Sequence, residues 1–155
     1  QSERQASDFW AVREMIPEAN RRIGSVSSHD ISVPLSAIPD FIRRGGEVIA
    51  ELGDFRINCF GHVGDGNLHY NLSPAADRCG AEHQAAFLAL EGPINTLVHD
   101  AVVDHQGSIS AEHGLGVLRR DESARYKSPV ELKLMRAIKT ALDPLNLMNP
   151  GKLLP

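Results

Sequence analysis

Residues 56–72 read RINCFGHVGDGNLHYNL, and the reading of this stretch decides the fold. Two runs with strand character, 56–60 and 67–72, flank a segment rich in Gly and Asp. Those residues accept the positive φ angles of tight turns, so Asp65-Gly66 at the centre of a type I′ turn would close the runs into a hairpin. Gly64 then pairs with Asn67, Val63 with Leu68, and His62 with His69. Directly opposed residues on one face have Cβ atoms about 4.5–5.5 Å apart, near enough for two imidazoles to meet one ion. On a single uninterrupted strand a spacing of seven sends the two histidines to opposite faces, so the turn, or a wide glycine bulge in its place, is what a shared site requires.

Outward from the hairpin the pattern turns helical. Residues 8–23 carry Phe9, Val12, Ile16, Ala19 and Ile23 at three- and four-residue spacing, with Asp8 as cap and Pro17 as the point where the helix kinks or divides. Ile31, Val33 and Leu35 alternate as a short strand that Pro34 confines to an edge or an end. A helix is expected from residue 38 or 39 to about 52. A longer one is expected over 81–105, kinked at Gly92-Pro93 and ended by Gly107 as C′ residue. A short strand follows at GSIS, residues 107–110. Ser128-Pro129-Val130-Glu131 is a capping box with Pro at the first helical position, opening a helix that runs to about 142 and stops at Asp143-Pro144. Strands and helices thus interleave in an α+β, ferredoxin-like domain, with a mostly antiparallel sheet and helices packed on one face.

Composition excludes several roles. With 16 Lys and Arg against 20 Asp and Glu, the net charge of -4 offers no basic field for a nucleic-acid backbone. No apolar run approaches the roughly 20 residues that span a bilayer. Cys59 and Cys79 form no CxxC, which points to reduced thiols and away from a thiolate zinc site; a cytoplasmic setting, free or peripheral to a membrane, is the expectation.

Two imidazoles on a hairpin invite a third donor, since a catalytic zinc-type site takes three protein ligands and leaves a position open. Ser110-Ala111-Glu112-His113-Gly114 offers a carboxylate and an imidazole side by side. Adjacent residues in extended backbone point to opposite sides, so one would bind the metal while the other faces the substrate. His29, His83, His99 and His105 read as surface or structural.

Together Gly61-His62-Val63-Gly64-Asp65-Gly66-Asn67-Leu68-His69, Ile109-Ser110-Ala111-Glu112-His113-Gly114 and the ending Asp143-Pro144 with Asn149-Pro150-Gly151-Lys152 resemble the C-terminal domain of FAD-linked oxidases of the vanillyl-alcohol oxidase superfamily. The D-2-hydroxyacid dehydrogenases, which take in D-lactate and D-2-hydroxyglutarate dehydrogenases and the glycolate oxidase flavin subunit, are most similar. Phe9-Trp10-Ala11-Val12-Arg13-Glu14 and His29-Asp30-Ile31-Ser32-Val33-Pro34 are similar to the family's upstream segments.

The resemblance implies that residues 1–155 are the substrate cap of a longer flavoenzyme whose FAD is held mainly by an N-terminal domain outside this chain. By position it gives His62, His69 and Glu112 as metal ligands, with zinc foremost and manganese or iron as alternatives. It makes His113 the general base, and Arg13 and Asn71 the substrate contacts. Ser28 stands where the family often has lysine. The implied reaction oxidises a small 2-hydroxy acid to a 2-oxo acid by hydride transfer to flavin, with a homodimer as one candidate assembly. The rival reading is a non-catalytic metal-binding, ferredoxin-like interaction module using the same three residues for a structural ion; a hydrolytic zinc enzyme is disfavoured because no HExxH occurs.

Overall fold

In the computed structural model, residues 2–23, 27–78 and 81–154 are described, and the chain runs α1 (Glu3–Glu14), α2 (Ile16–Ile23), β1 (Ser27–Ser32), α3 (Ile38–Ala50), β2 (Phe55–His62), β3 (Asn67–Pro74), α4 (Ala81–Ala89), α5 (Glu91–Asp104), α6 (Arg120–Tyr126) and α7 (Pro129–Leu142). The three strands form an antiparallel sheet in the order β1-β3-β2. This is the expected α+β arrangement of helices against an antiparallel sheet.

Strand alternation divides the sheet into two unlike faces. Ile31 of β1 and Leu68, Tyr70 and Leu72 of β3 turn to one side, where they pack with Phe41 and Ile49 of α3 and Ile94, Val98 and Val102 of α5, all buried. Each such side chain stabilises the fold by about 1.5–3 kcal/mol through removal of apolar surface from water. The intervening residues, Ser28 and Asp30 of β1, Asn58, Phe60 and His62 of β2, and Asn67, His69 and Asn71 of β3, share the other face by register. The core helices cover the first face. Helices α1 and α2 reach the second, through Arg13 against His62 and an Asn58 amide donating to Asn20 Oδ1 at 2.8 Å.

Several boundaries differ from the sequence reading, each for a local reason. The stretch over 8–23 is divided, one of the two outcomes expected of Pro17: it forms two helices broken at Met15, with Pro17 in the first turn of α2, where its missing N–H is not needed. The cap of α1 is Ser2, reciprocally bonded with Gln5, in place of Asp8. Likewise 81–105 breaks at Leu90, and Pro93 lies in the first turn of α5. The strand expected at 31–35 lies earlier and ends at Ser32, before Pro34. GSIS contributes a single bridge, Ser108 to Ser32.

At the end of α5 the left-handed residue is Gln106, with φ 59°, so Gly107 is one position beyond C′. Gly107 N–H donates to Val102 O and Gln106 N–H to Val103 O, the paired bonds of a Schellman motif. Glycine is needed at 107 for room: a Cβ would lie 2.3 Å from Ser32 O. The capping box at Ser128 and Glu131 forms as expected, and α7 ends at Leu142. Val130, Leu134, Ile138 and Leu142 of α7 and Phe9, Trp10 and Val12 of α1 are exposed. Among the described residues no helix is long and apolar enough to cross a membrane. Cys59 is a free thiol, and Cys79 lies outside the described residues.

Candidate metal centre

The hairpin forms, with a longer loop than the two-residue turn expected. His62 pairs with Asn67 and Phe60 with His69, leaving residues 63–66 as a four-residue connection. His62 O accepts from the N–H groups of both Asp65 and Gly66, and Asp65 Oδ1 accepts from Asn67 N–H at 3.0 Å. Gly66 has φ 80°, and a Cβ there would lie 2.1 Å from Val33 O. The register is therefore shifted by two residues from the opposed pairing of His62 with His69. A shift of two preserves face, whereas a shift of one would have separated the rings. The imidazoles are diagonal neighbours with centroids 6.2 Å apart.

Glu112 arrives from the irregular segment after Ser108. Its Oε1 lies 3.3 Å from His62 Nε2 and its Oε2 3.7 Å from His69 Nε2. One donor atom from each of the three side chains falls within 4.8 Å of the other two. Two imidazoles and a carboxylate at these separations suit a divalent ion bound at about 2.0–2.2 Å, after small adjustment and with an open side.

His113 stacks on His69, with centroids 5.8 Å apart and planes 22° from parallel. The expectation that neighbours 112 and 113 point to opposite sides is not met. Both line one cleft of about 580 Å³, together with Arg13, Phe60, His69 and Asn71. The segment is bent, not extended, and its amides turn to Asp30. Asp30 Oδ2 accepts from Glu112 N–H and His113 N–H at 2.8 Å each and from Ala111 N–H at 3.3 Å. Asn67 Nδ2 donates to Asp30 Oδ1 at 2.8 Å.

Asp30 is the site residue that motif reading left without a role. Its signal was alternation: position 30 pairs with His69 and shares its face. Burial works against its charge, yet the His113 and Glu112 amides, the Asn67 amide and the nearby His113 ring outweigh it and hold the carboxyl below its usual range. His69 is shifted down, mainly by burial; the Asp30 and Glu112 carboxylates partly oppose this, and the His113 and His62 rings add to it.

Arg13, from α1, points its guanidinium at His62 Nε2 over 3.1 Å. Asn71 is buried on β3, and its amide oxygen has no hydrogen-bond partner although the residue lines the cleft. Ser28, at the departure from the family pattern, lines the cleft as well.

Residues 1–153 match the family model described as FAD linked oxidases, C-terminal domain. Among curated relatives, the mitochondrial D-2-hydroxyglutarate dehydrogenase of Arabidopsis thaliana is 41% identical over 152 residues, covering 97% of this chain and 25% of the relative. D-2-hydroxyglutarate dehydrogenase of Stutzerimonas stutzeri (strain A1501) is 38% identical over 154 residues, covering 99% and 32%. The mitochondrial D-2-hydroxyglutarate dehydrogenase of Bos taurus is 38% identical over 155 residues, covering 99% and 26%. The chain thus spans about a quarter to a third of the length of these relatives.

Proposed function

The chain belongs to the family of FAD linked oxidases, C-terminal domain, and from that premise we propose that it is the substrate-binding portion of an FAD-dependent dehydrogenase that oxidises a D-2-hydroxy acid to the 2-oxo acid. 2-Hydroxyglutarate is the foremost substrate, because the relatives above carry that name. The flavin is held mainly by a part of the polypeptide outside residues 1–155. The observation that carries the reading is the meeting of His62, His69 and Glu112 at the wall of a cleft that Arg13 and Asn71 also line.

Oxidation of a 2-hydroxy acid removes a hydride from C2 and a proton from the hydroxyl. When bound, flavin supplies the hydride acceptor. His62, His69 and Glu112 would hold a divalent ion, zinc foremost, which supplies Lewis acidity toward the hydroxyl oxygen. The chain's own groups do the rest. Arg13 offers a planar pair of donors for the substrate carboxylate, a fork that lysine lacks. Asn71, whose amide oxygen has no hydrogen-bond partner, fixes a substrate oxygen or proton, the two ends of its amide being interchangeable by rotation. His113, at the cleft and stacked on His69, takes the hydroxyl proton as general base. Three protein donors and an open side favour this over the structural-ion module, which calls for a closed set of four.

Chelation tests the assignment. Dialysis of the holoenzyme against a strong chelator should abolish oxidation of D-2-hydroxyglutarate while leaving flavin absorbance intact, and added zinc should restore turnover. Full activity in a metal-free holoenzyme, or in His62→Ala and His69→Ala variants, would overturn the metal-assisted reading.

A further inference from the structure

We infer that Asp30 is the positioning residue of the site: its carboxylate curls the segment 111–113 and thereby sets Glu112 against the two histidines and His113 over the cleft. This deepens the reading above and rests on it.

Glu112 and His113 lie in a bend outside any named helix or strand, so their own segment does not fix where their side chains point. Three successive amides of that bend donate to one oxygen, Asp30 Oδ2, across about 80 residues of chain. Ala111 N–H also reaches the backbone oxygen of Asp30 at 3.2 Å. Three N–H groups converging on one anion form a nest, here filled by a side chain of the protein itself. Asp30 is only 5% exposed and belongs to a paired strand, so the anchor has little freedom to move. Directly across the sheet from it is His69.

Asp30 could instead serve as a ligand of a second ion, because donor atoms of Asp30, Glu112 and His113 also lie within 4.8 Å of one another. The hydrogen bonds argue against that role. Oδ2 already accepts from three amides and Oδ1 from Asn67. A cation at Asp30 would have to displace donors that an ionised carboxylate satisfies well. The carboxylate of Asp30 faces N–H groups, and the carboxylate that faces both hairpin imidazoles is that of Glu112.

Asparagine is nearly isosteric but neutral, and whichever way its amide turns, an NH2 meets donors on one side. In the holoenzyme, Asp30→Asn and Asp30→Ala should keep flavin absorbance. Metal affinity, by competition with a chromogenic chelator, and kcat should each fall about 10–100-fold, the usual consequence of losing a group that orients a metal site. KM should move less than kcat, because Arg13 and Asn71 are untouched. Hydrogen exchange of a peptide spanning 110–114 should accelerate.

A merely structural Asp30 would lower the melting temperature and leave metal affinity, kcat per flavin and local exchange within about twofold of wild type; that result overturns the inference. Should both variants fail to fold, Asn67→Ala removes one donor from the same carboxylate, and unchanged metal affinity and exchange there would also overturn it. A wild-type holoenzyme that holds no ion would end the metal-assisted reading, while the exchange measurement would still decide whether Asp30 shapes the segment.

Discussion

Each face of the sheet borders a histidine pair, two strand residues on one side and a strand residue against His99 of α5 on the other, with rings at similar separations. His62 and His69 stand 6.2 Å apart at 73°, His29 and His99 5.5 Å apart at 89°. Their surroundings differ. The first pair borders an open cleft with Glu112 between the rings. The second is sealed among α5, α6 and β1, with His29 and His99 0% and 1% exposed. Ser27 Oγ lies 3.1 Å from His29 Nε2, and Arg119 donates toward His99 Nε2 over 3.3 Å. Glu122 Oε2 is 3.1 Å from His99 Nδ1. Burial first, then the His99 ring and Arg119, push His29 down to about 3. Burial first, then Arg119 and Arg125 against an opposing Asp100, push His99 down to about 4. Ring spacing thus does not select a function. Access to solvent and a shared carboxylate do, and strand parity allots them: consecutive His29 and Asp30 go to opposite faces.

The sharpest division lies within the open face. In the holoenzyme His113→Ala should lower turnover by about 10²–10⁴-fold with metal and flavin retained, the usual worth of a positioned general base. Glu112→Ala should instead lose the ion, and added metal should restore activity only in part. Metal analysis alongside steady-state rates checks both. If His113→Ala strips the ion and Glu112→Ala keeps it, the two roles are reversed.

The sealed pair should act through stability. Both native pKa values lie below the unfolded value of about 6.5, so below that pH the unfolded chain binds protons that the native pair refuses. Their contribution is present above about pH 6.5 and is lost as pH falls toward 4 for His99 and toward 3 for His29. Between pH 7.5 and 5.5 the two should remove about 2–3 kcal/mol of unfolding free energy, measured by urea titration. A His99→Gln variant should flatten that slope; an equal slope would erase the contrast between the faces.

Smaller effects sharpen the boundary of the cleft. Asn71→Ala should raise KM about tenfold with a lesser change in kcat, as expected when a substrate contact is equal in ground and transition states. Asn58→Ala, which removes the bond to Asn20, should lower unfolding free energy by about 1 kcal/mol and loosen α2 against the open face. No change in hydrogen exchange across residues 16–23 would mean that this bond does not hold the helix.

Much of this arrangement is legible before any coordinates. The glycine-rich turn and the alternation around it put His62 and His69 on one face of a hairpin, and the capping box starts α7 where its residues require. The loop length is less legible, because Asp65 spends its side chain on the Asn67 amide and His62 O accepts twice, closing four residues where two were expected. The face survives that error because the shift is even. Asp30 escapes motif reading because its partners at 111–113 join it only through tertiary folding. The apolar spacing in α1 and the capping box of α7 correctly mark helices but do not bury them: Phe9, Val12, Leu134 and Ile138 are exposed.

The hairpin tip has a further use. Its two glycines offer opposite tolerance: a side chain at 66 would strike Val33 O, whereas one at 64 meets nothing within 4 Å, and neighbouring Val63 is 82% exposed. Position 64 is therefore a port for a reporter group. A small fluorophore attached to a Gly64→Cys variant would sit two residues from His62 and outside the packed sheet. Its emission could follow the filling of the cleft in real time, without a label on any residue assigned to the chemistry.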